Sequence, residues 1–537
     1  MVLGSAVPLA LALLAAVPRP RPYADHLLVE VEVADAAALR RLLATGVDPW
    51  LDHPRPGVVP VLVSPEQRAM LWADGWTLRV LSADVQADVD AEHDRLAGAP
   101  APIPGGGDFF ADFRDLEAID AELDATIAAN PELVTAYEIG ASIQGRTIRA
   151  LRITAAGDDA RPAVLVTSGQ HSREWIAVSS GMYVVDQLIT RAAEPEIAAV
   201  LDAIQIIVIP MVNPDGYAHS WTAERYWRKN RRDGVGVDTN RNFGHSWGGE
   251  GSSPIPEDEN YAGAAAFSEP ESAAVRDFVL AHPELVAHLD LHSYGQLVLY
   301  PWGDIYELAP DDAALANTAD AMVSAMGEIG ASYTPLQGVN LYPASGNIID
   351  WAYGDVGLHS LTIELRPDNP DVGFVLGPDQ IAPVGDEVFA ALSVLFAYAN
   401  GEVVDPTDGG ESSSGGAVDS SGGALEGSSG PAGASSGGDG AGDVTDPSMP
   451  GSSGVASEAS AEGTAGGSSS GGAQVDGDQT GCGCRAPGVG PGATWVWIGF
   501  AGANVRRRRP RSGTGTGRGT GTERGVRRNA LRSSAPR

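Results

Sequence analysis

The amino-acid sequence predicts an α/β protein with a mainly parallel sheet flanked by helices, preceded by a small α+β module and followed by a disordered tail. Three observations carry that expectation. Between Phe109 and Gly401, helix-period stretches such as "DLEAIDAELDATIAANPELV" alternate with the β-rich runs "IRALRIT", "AVLVTSG", "IQIIVIPMVN", "VAHLDLHS" and "SLTIEL". Mostly apolar strands separated by helices read as a sheet covered on both faces. From His26 to Ala97 the alternating runs "LLVEVEV" and "WTLRVL" are interspersed with the helical segments "DAAALRRLLATG" and "SPEQRAMLWADG", the pattern of a small mixed module. From Glu402 to about Gly481 the chain is Gly, Ser, Asp and Glu with almost no large apolar residue, so burial cannot offset the entropy cost of ordering it.

Taken in chain order, residues 1–24 read as an export signal. "VLGSAVPLALALLAAV" (2–17) has the length of an apolar signal core but lacks the usual basic flank; an apolar first strand is the competing reading. Residues 25–97 form the α+β module and 98–108 a linker, "AGAPAPIPGGGD" being rich in Pro and Gly. Residues 109–401 form the α/β domain, 402–481 a Gly/Ser-rich spacer and 482–537 a tail. That tail holds the two cysteines, Cys482 and Cys484, then the apolar stretch "ATWVWIGFAGANV" and an Arg cluster. Cysteines so close would make a strained bridge, so the folded part has no disulfide framework. A length of 537 residues exceeds one typical domain, and the net charge of -35 argues against nucleic acid as a partner of the whole chain.

The chemistry concentrates in "SGQHSREWIAV", residues 168–178. His171 and Glu174 stand three residues apart, just after an apolar run and at the turn into the next helix. In open α/β sheets ligands bind outside the carboxyl ends of strands. An imidazole and a carboxylate there can converge on one cation, and catalytic zinc sites commonly use two His and one Glu, leaving a position for water. His292 in "HLDLHSYGQLVLYPWG", again at the end of a strand-like run, is the candidate third ligand. Alone, H-x-x-E is weak, because a helix-start Glu beside a surface His has the same spelling.

Several further stretches are dense in Arg, Asn or Tyr: "NPDGY" (213–217), "RYWRKNR" (225–231), "GVDTNRNF" (236–243), "LYPASGNIIDW" (341–351) and "LTIELR" (361–366). In this order they resemble the zinc metallocarboxypeptidases of the carboxypeptidase A/B type over essentially all of 109–401, and the module resembles the propeptide that precedes that domain. The resemblance implies an eight-stranded mixed sheet and one Zn2+ held by His171, Glu174 and His292. Asp238 matches an aspartate that orients the first histidine, Glu364 the catalytic glutamate and Arg228 the group that stabilises the oxyanion. A carboxylate inside an apolar strand is costly without a partner or a task; for Glu364 an ion pair with Arg366 is the competing reading. For Lys229, Arg231 and Arg232, beside Arg228, an exposed basic run is expected.

The resemblance also assigns substrate contacts. Arg241 with Asn240 matches the pair that grips the terminal carboxylate, a fork suited to guanidinium. Tyr342 matches a lid over the same end, and Arg173 and Tyr294 match positions that contact the substrate. The pocket for the terminal side chain is matched by Leu299, Gly303, Leu341, Ala344, Ile349 and Thr362. Relatives that remove Lys or Arg carry an aspartate at the position of Ile349, so a large apolar or aromatic terminal residue is expected here. Asn347, Gln337 and Asp304 lie close by in sequence as polar exceptions. Animal relatives carry a disulfide near "SSPIPEDENY" (252–261), which has no cysteine here, so packing is expected to hold that loop.

The resulting expectation is a secreted or cell-surface monomeric zinc carboxypeptidase whose partners are peptide or protein C-termini. The tail resembles bacterial sorting tails and is a candidate for cell-surface attachment, although its apolar stretch is shorter than the roughly 20 residues a membrane helix needs. Two alternatives remain at this level: a peptidoglycan-peptide carboxypeptidase on the same fold and a non-catalytic binding module. Intact Asn240, Arg241 and Tyr342 speak against the first, and the complete ligand set with Glu364 against the second.

Overall fold

A computed structural model describes residues 19–50, 56–155, 157 and 160–402. The expected export signal up to residue 18 and the stretches read as spacer and tail beyond 402 lie outside the described residues. Between 27 and 98 the chain forms β1 (Leu27–Val33), α1 (Ala36–Leu43), β2 (Asp48–Pro49), β3 (Gly57–Val63), α2 (Pro65–Ala73), β4 (Leu78–Ser82) and α3 (Val85–Gly98). The strands make an antiparallel sheet in the order β2-β3-β1-β4. Alternation in β1 and β3 sends Val29, Val31, Val33, Val59, Val61 and Val63 to one side, where Leu42 of α1 and Leu71 of α2 complete a core. Helix α2 begins with a capping box. The Ser64 hydroxyl accepts the Gln67 N–H at 3.2 Å and the Gln67 side chain accepts the Ser64 N–H at 2.9 Å, with Pro65 in the first turn.

The larger sheet contains β5 (Val134–Ala141), β6 (Thr147–Ile153), β7 (Ala163–Ser168), β8 (Gln205–Ile209), β9 (Leu285–Ser293), β10 (Leu297–Tyr300), β11 (Thr334–Gln337) and β12 (His359–Leu365), in the order β11-β10-β12-β9-β7-β8-β6-β5. Contacts among β12, β9, β7 and β8 are parallel, as is β10 with β11; β10–β12, β6–β8 and β5–β6 are antiparallel. This mixed eight-stranded sheet is the expected architecture. Its helices are α4 (Leu116–Ala129), α5 (Trp175–Thr190), α6 (Pro195–Ala203), α7 (Pro214–Thr222), α8 (Pro270–Ala281), α9 (Asp312–Glu328), the short α10 (Gly338–Leu341) and α11 (Ile348–Trp351), and α12 (Ile381–Ala399). Helix α12 is apolar enough to resemble a membrane span by composition, but it packs against α5 and α9 over the sheet, which accounts for its composition. Elsewhere Ile148, Leu165 and Ile207 of the sheet share a core with Val275 and Phe278 of α8 and with Phe243 and Trp351.

Every residue of β7, β8 and β12 is buried, as expected for strands sandwiched between layers. Parallel pairing aligns the carboxyl ends of β7, β9 and β12. Ser168 sits beside Leu291 and Glu364 beside His292. The N-terminal module rests on the loops beyond these ends. Trp50 lies 4.6 Å from Tyr226 and 5.7 Å from Phe374. Glu92 of α3 accepts from Arg225 Nε at 2.6 Å with both side chains buried, while the Arg225 guanidinium stacks 3.6 Å from the Trp175 ring centre.

Candidate active site

After β7 the chain turns through Gly169, whose φ of +70° lies in the left-handed region and whose missing Cβ would sit 3.1 Å from Val178. Only glycine fits both conditions at low cost. The turn delivers His171, and α5 then starts with Glu174 at its N-cap, where the Glu174 side chain makes no capping bond to the helix. It faces the histidines instead. His171 Nδ1 lies 2.8 Å from Glu174 Oε1, His292 Nδ1 lies 3.0 Å from Glu174 Oε2, and the two Nδ1 atoms are 3.0 Å apart. All three residues are 1% exposed. Ser293 N–H donates to Glu174 Oε2 at 3.1 Å and fixes that carboxylate further.

Each imidazole is backed on its far nitrogen. His171 Nε2 lies 3.1 Å from Asp238 Oδ1, and Asp238 Oδ2 accepts from Arg228 Nε and Nη2 at 3.2 and 2.9 Å. Burial opposes charge on Asp238, but Arg228 and His171 outweigh it and hold the carboxyl well below its ordinary range. His292 Nε2 lies 2.8 Å from Asp290 Oδ2. Two imidazole nitrogens and a carboxylate, with ligand atoms within 4.8 Å of one another, form a donor set suited to zinc, with chemistry that fits its preference for N and O ligands.

Glu364 of β12 is buried on the strand next to His292. Its alternative role as the partner of Arg366 is corrected: Arg366 Nε donates to Glu387 Oε2 at 3.2 Å, and Arg366 Nη2 donates to the other Glu387 oxygen. Arg228 is 2% exposed, with Nη1 3.9 Å from Glu174 Oε1. Arg241 is buried beneath the Tyr342 ring, 6.0 Å from its centre, and donates to the carbonyls of Asn240 and Gly251 at 2.6 and 3.2 Å. The Asn240 side chain reaches His292 Nε2 at 3.3 Å and accepts the Ile348 N–H at 2.9 Å. Arg173 lies under Phe374, 4.3 Å from its ring centre, with Asp48 Oδ1 of the module 3.5 Å away. Tyr294 packs on the same phenylalanine at 5.0 Å.

Among the pocket candidates, Leu299 and Thr362 are direct cross-strand partners, and Gly303 accepts the Ala344 N–H at 2.7 Å. Leu341 is half-buried. Ile349 is buried in the cluster of Phe243, Ile348 and Trp351. Asn347 is engaged, donating to Ala344 O and Asp350 at 2.5 and 2.8 Å, and Gln337 donates to Glu307 O at 2.8 Å.

The basic run is not a solvated face. Lys229 is 2% exposed and donates to the carbonyls of Pro256 and Asp258 at 2.9 and 2.8 Å. Arg231 lies over Trp227 and Arg232 pairs with Glu269 at 2.7 Å. The cysteine-free loop 252–261 is held by hydrogen bonds from Lys229, with Ser253 bonded to Asp258 at 2.6 Å. Sequence reading missed Asp290, Asp48 and the Glu92–Arg225 pair. The first had a usable signal, since a residue two before a ligand in a strand shares its face.

A buried His, Glu, His triad at the carboxyl ends of parallel strands, with a carboxylate one strand away, is a metallohydrolase arrangement. Residues 119–391 match the family model described as zinc carboxypeptidase. The chain is 33% identical over 396 residues to carboxypeptidase A1 of Rattus norvegicus, covering 70% of this chain and 94% of the relative. It is 36% identical over 301 residues to carboxypeptidase B of Astacus astacus, covering 53% and 96%. Of solved structures, carboxypeptidase A from Helicoverpa armigera aligns with a TM-score of 0.64 at 30% identity, covering 71% of this chain and 98% of that one. Thrombin activatable fibrinolysis inhibitor aligns with a TM-score of 0.65 at 26% identity, covering 71% and 100%. This chain belongs to the zinc carboxypeptidase family and is a metallocarboxypeptidase, a hydrolase acting on peptide C-termini.

Proposed function

We propose that the protein removes single residues from the free C-termini of peptides, using zinc held by His171, Glu174 and His292, with preference for large apolar or aromatic terminal residues. The carrying observation is the convergence of those three side chains beside Glu364. When bound, zinc supplies a Lewis acid that acidifies water toward neutral pH and polarises the scissile carbonyl. Glu364 accepts the proton of the attacking water and delivers it to the departing amine. Arg228 offers a fixed cation to the oxygen that gains charge. Arg241 and Asn240 receive the terminal carboxylate, and Tyr342 closes over it. Ile349 supports the apolar preference, and so does the engagement of Asn347 and Gln337 in other hydrogen bonds.

In this reading the protein is exported through residues 1–24, and the N-terminal module restrains a precursor. The match to the rat enzyme supports the second point, because it covers more of this chain than 109–401 comprises. Asp48 beside Arg173 and Trp50 against Tyr226 and Phe374 add to it. Attachment to the cell surface would rest on the tail.

The test incubates the full-length, zinc-loaded protein, before and after limited proteolysis between Arg95 and Asp108, with peptides ending in Phe, Leu, Lys, Glu and D-Ala. Mass spectrometry reads the terminal residue lost. Fast loss of Phe and Leu after cleavage, slow loss before it and none with a chelator are expected. Loss of D-Ala alone, or internal cleavage, overturns the reading.

A further inference from the structure

We propose that Asp290 is a positioning residue for the metal centre, fixing His292 in the tautomer and orientation that present Nδ1 to the ion, so that each ligating histidine has its own carboxylate. The proposal rests on the reading of His292 as a ligand. Asp290 lies two residues before His292 in β9, on the same face of the strand, and both are buried in the middle of a sheet covered on both sides. A carboxylate in such a place is costly unless its oxygens are satisfied. They are: Oδ1 accepts from the Thr167 hydroxyl at 2.5 Å, and Oδ2 accepts from Gln170 Nε2 at 2.6 Å and faces His292 Nε2 at 2.8 Å.

An ionised carboxylate accepts hydrogen bonds and donates none, so the ring nitrogen that faces it carries the hydrogen. The other partner of His292 Nε2, the Asn240 side-chain nitrogen at 3.3 Å, is itself a donor and does not compete for that role. The lone pair is left on Nδ1, 3.0 Å from both Glu174 Oε2 and His171 Nδ1. Thr167 and Gln170 flank the turn that carries His171, so one carboxylate ties β9 to the end of β7 and to the loop holding the other ligands. The network continues from Thr167 to His288 Nε2 at 2.8 Å and from His288 Nδ1 to Ser360 at 2.8 Å. A rival account therefore makes Asp290 only a strut of the core.

The two accounts separate on zinc affinity. Asp290→Asn in the full-length protein keeps shape and removes the charge. It should weaken zinc binding, measured against a chromophoric chelator, by about 10- to 100-fold, and alter the visible spectrum of the cobalt-substituted protein, while the zinc-free protein keeps its circular dichroism. Zinc affinity within about twofold of the parent, whatever happens to melting, makes Asp290 a strut and overturns the proposal. If Asp290→Asn does not fold, Thr167→Val decides: it keeps the strand shape and removes one anchor of Asp290, so a several-fold loss of zinc affinity is expected and an unchanged affinity overturns the proposal. His292→Ala is run in parallel. Stoichiometric zinc there rejects His292 as a ligand and the proposal with it, whereas zinc lost in His292→Ala but retained in Asp290→Asn rejects only the role of Asp290.

Discussion

The two sheets of this protein treat polar residues in opposite ways. In the four-stranded sheet of the module, one face carries the valine core and the other is covered only in part, by Leu28 and Leu62 packing with α3, Tyr226 and Phe374, so Glu32 of β1 is exposed and makes no demand on its surroundings. In the eight-stranded sheet, β7 and β12 are buried throughout, and the polar residues in or next to them have nowhere to go. Thr167, His288, Asp290, His292 and Glu364 are all buried. A polar side chain on a partly covered face is often just the wet part of it, whereas on a fully covered sheet its burial must be compensated, and compensated groups at the carboxyl ends of strands are where chemistry gathers.

The largest effect that could break this contrast is at the proposed ligands. His171→Ala or His292→Ala should leave a folded protein with background zinc and background activity, whereas Glu32→Ala should stay within about 0.5 kcal/mol of the parent in stability. Zinc content and chemical denaturation read both, and stoichiometric zinc in either histidine variant removes that residue from the ligand set. Next comes Glu364→Gln, which keeps volume but removes the carboxylate proposed as the base. Zinc and peptide should still bind while kcat falls by roughly 10²- to 10⁴-fold. Near-normal turnover would leave Glu364 a buried carboxylate without catalytic purpose.

A smaller change is expected at Ile349. Ile349→Asp should move the preference from Phe and Leu toward Lys and Arg by roughly 10- to 200-fold in relative kcat/KM, at some cost in stability because the position is part of the core. If the unaltered enzyme already prefers Lys or Arg, an acid such as Asp304 supplies the pocket and Ile349 is not the selector.

The smallest effect sharpens the contrast at the contact between module and domain. Burial, with Glu259 nearby, pushes Asp48 up to about 7, against the pull of Arg173. A carboxyl whose pKa is higher when docked takes up a proton on docking, so the contact is favoured while Asp48 is protonated. It weakens as pH rises from about 4 through about 7. After cleavage in the 95–108 stretch, the module should stay bound more tightly at pH 5.5 than at pH 7.5, by on the order of tenfold, and Asp48→Asn should flatten the difference. Size-exclusion chromatography and recovery of activity both report it; retention independent of pH would remove Asp48 from the contact's titration.

Much of this was legible beforehand, and particular residues show why. The 3.6-residue period of 116–129 and the capping box at Ser64 act within a few residues, so α4 and α2 are readable locally. The triad was legible because His171, Glu174 and His292 each follow a strand-like run, and the ordered motifs from "NPDGY" to "LTIELR" resemble one family. Lys229 was misread because four cations in "RYWRKNR" look like a solvated face, and nothing local reveals that the carbonyls of Pro256 and Asp258 come to meet one of them.

The sequence by itself determined the α/β class, the succession of elements, the candidate ligand types and the family they imply, because hydrophobic period, capping and motif spacing are properties of neighbouring residues. Only the tertiary structure decided that β9 lies between β7 and β12, which sets Asp290 against Thr167, Gln170 and His292 and brings Glu364 beside the triad. It alone joined Glu92 to Arg225 across 133 positions and Arg366 to Glu387 instead of Glu364. Strand order and register follow from burying both faces of a sheet at once, a condition on the whole chain that no short stretch records.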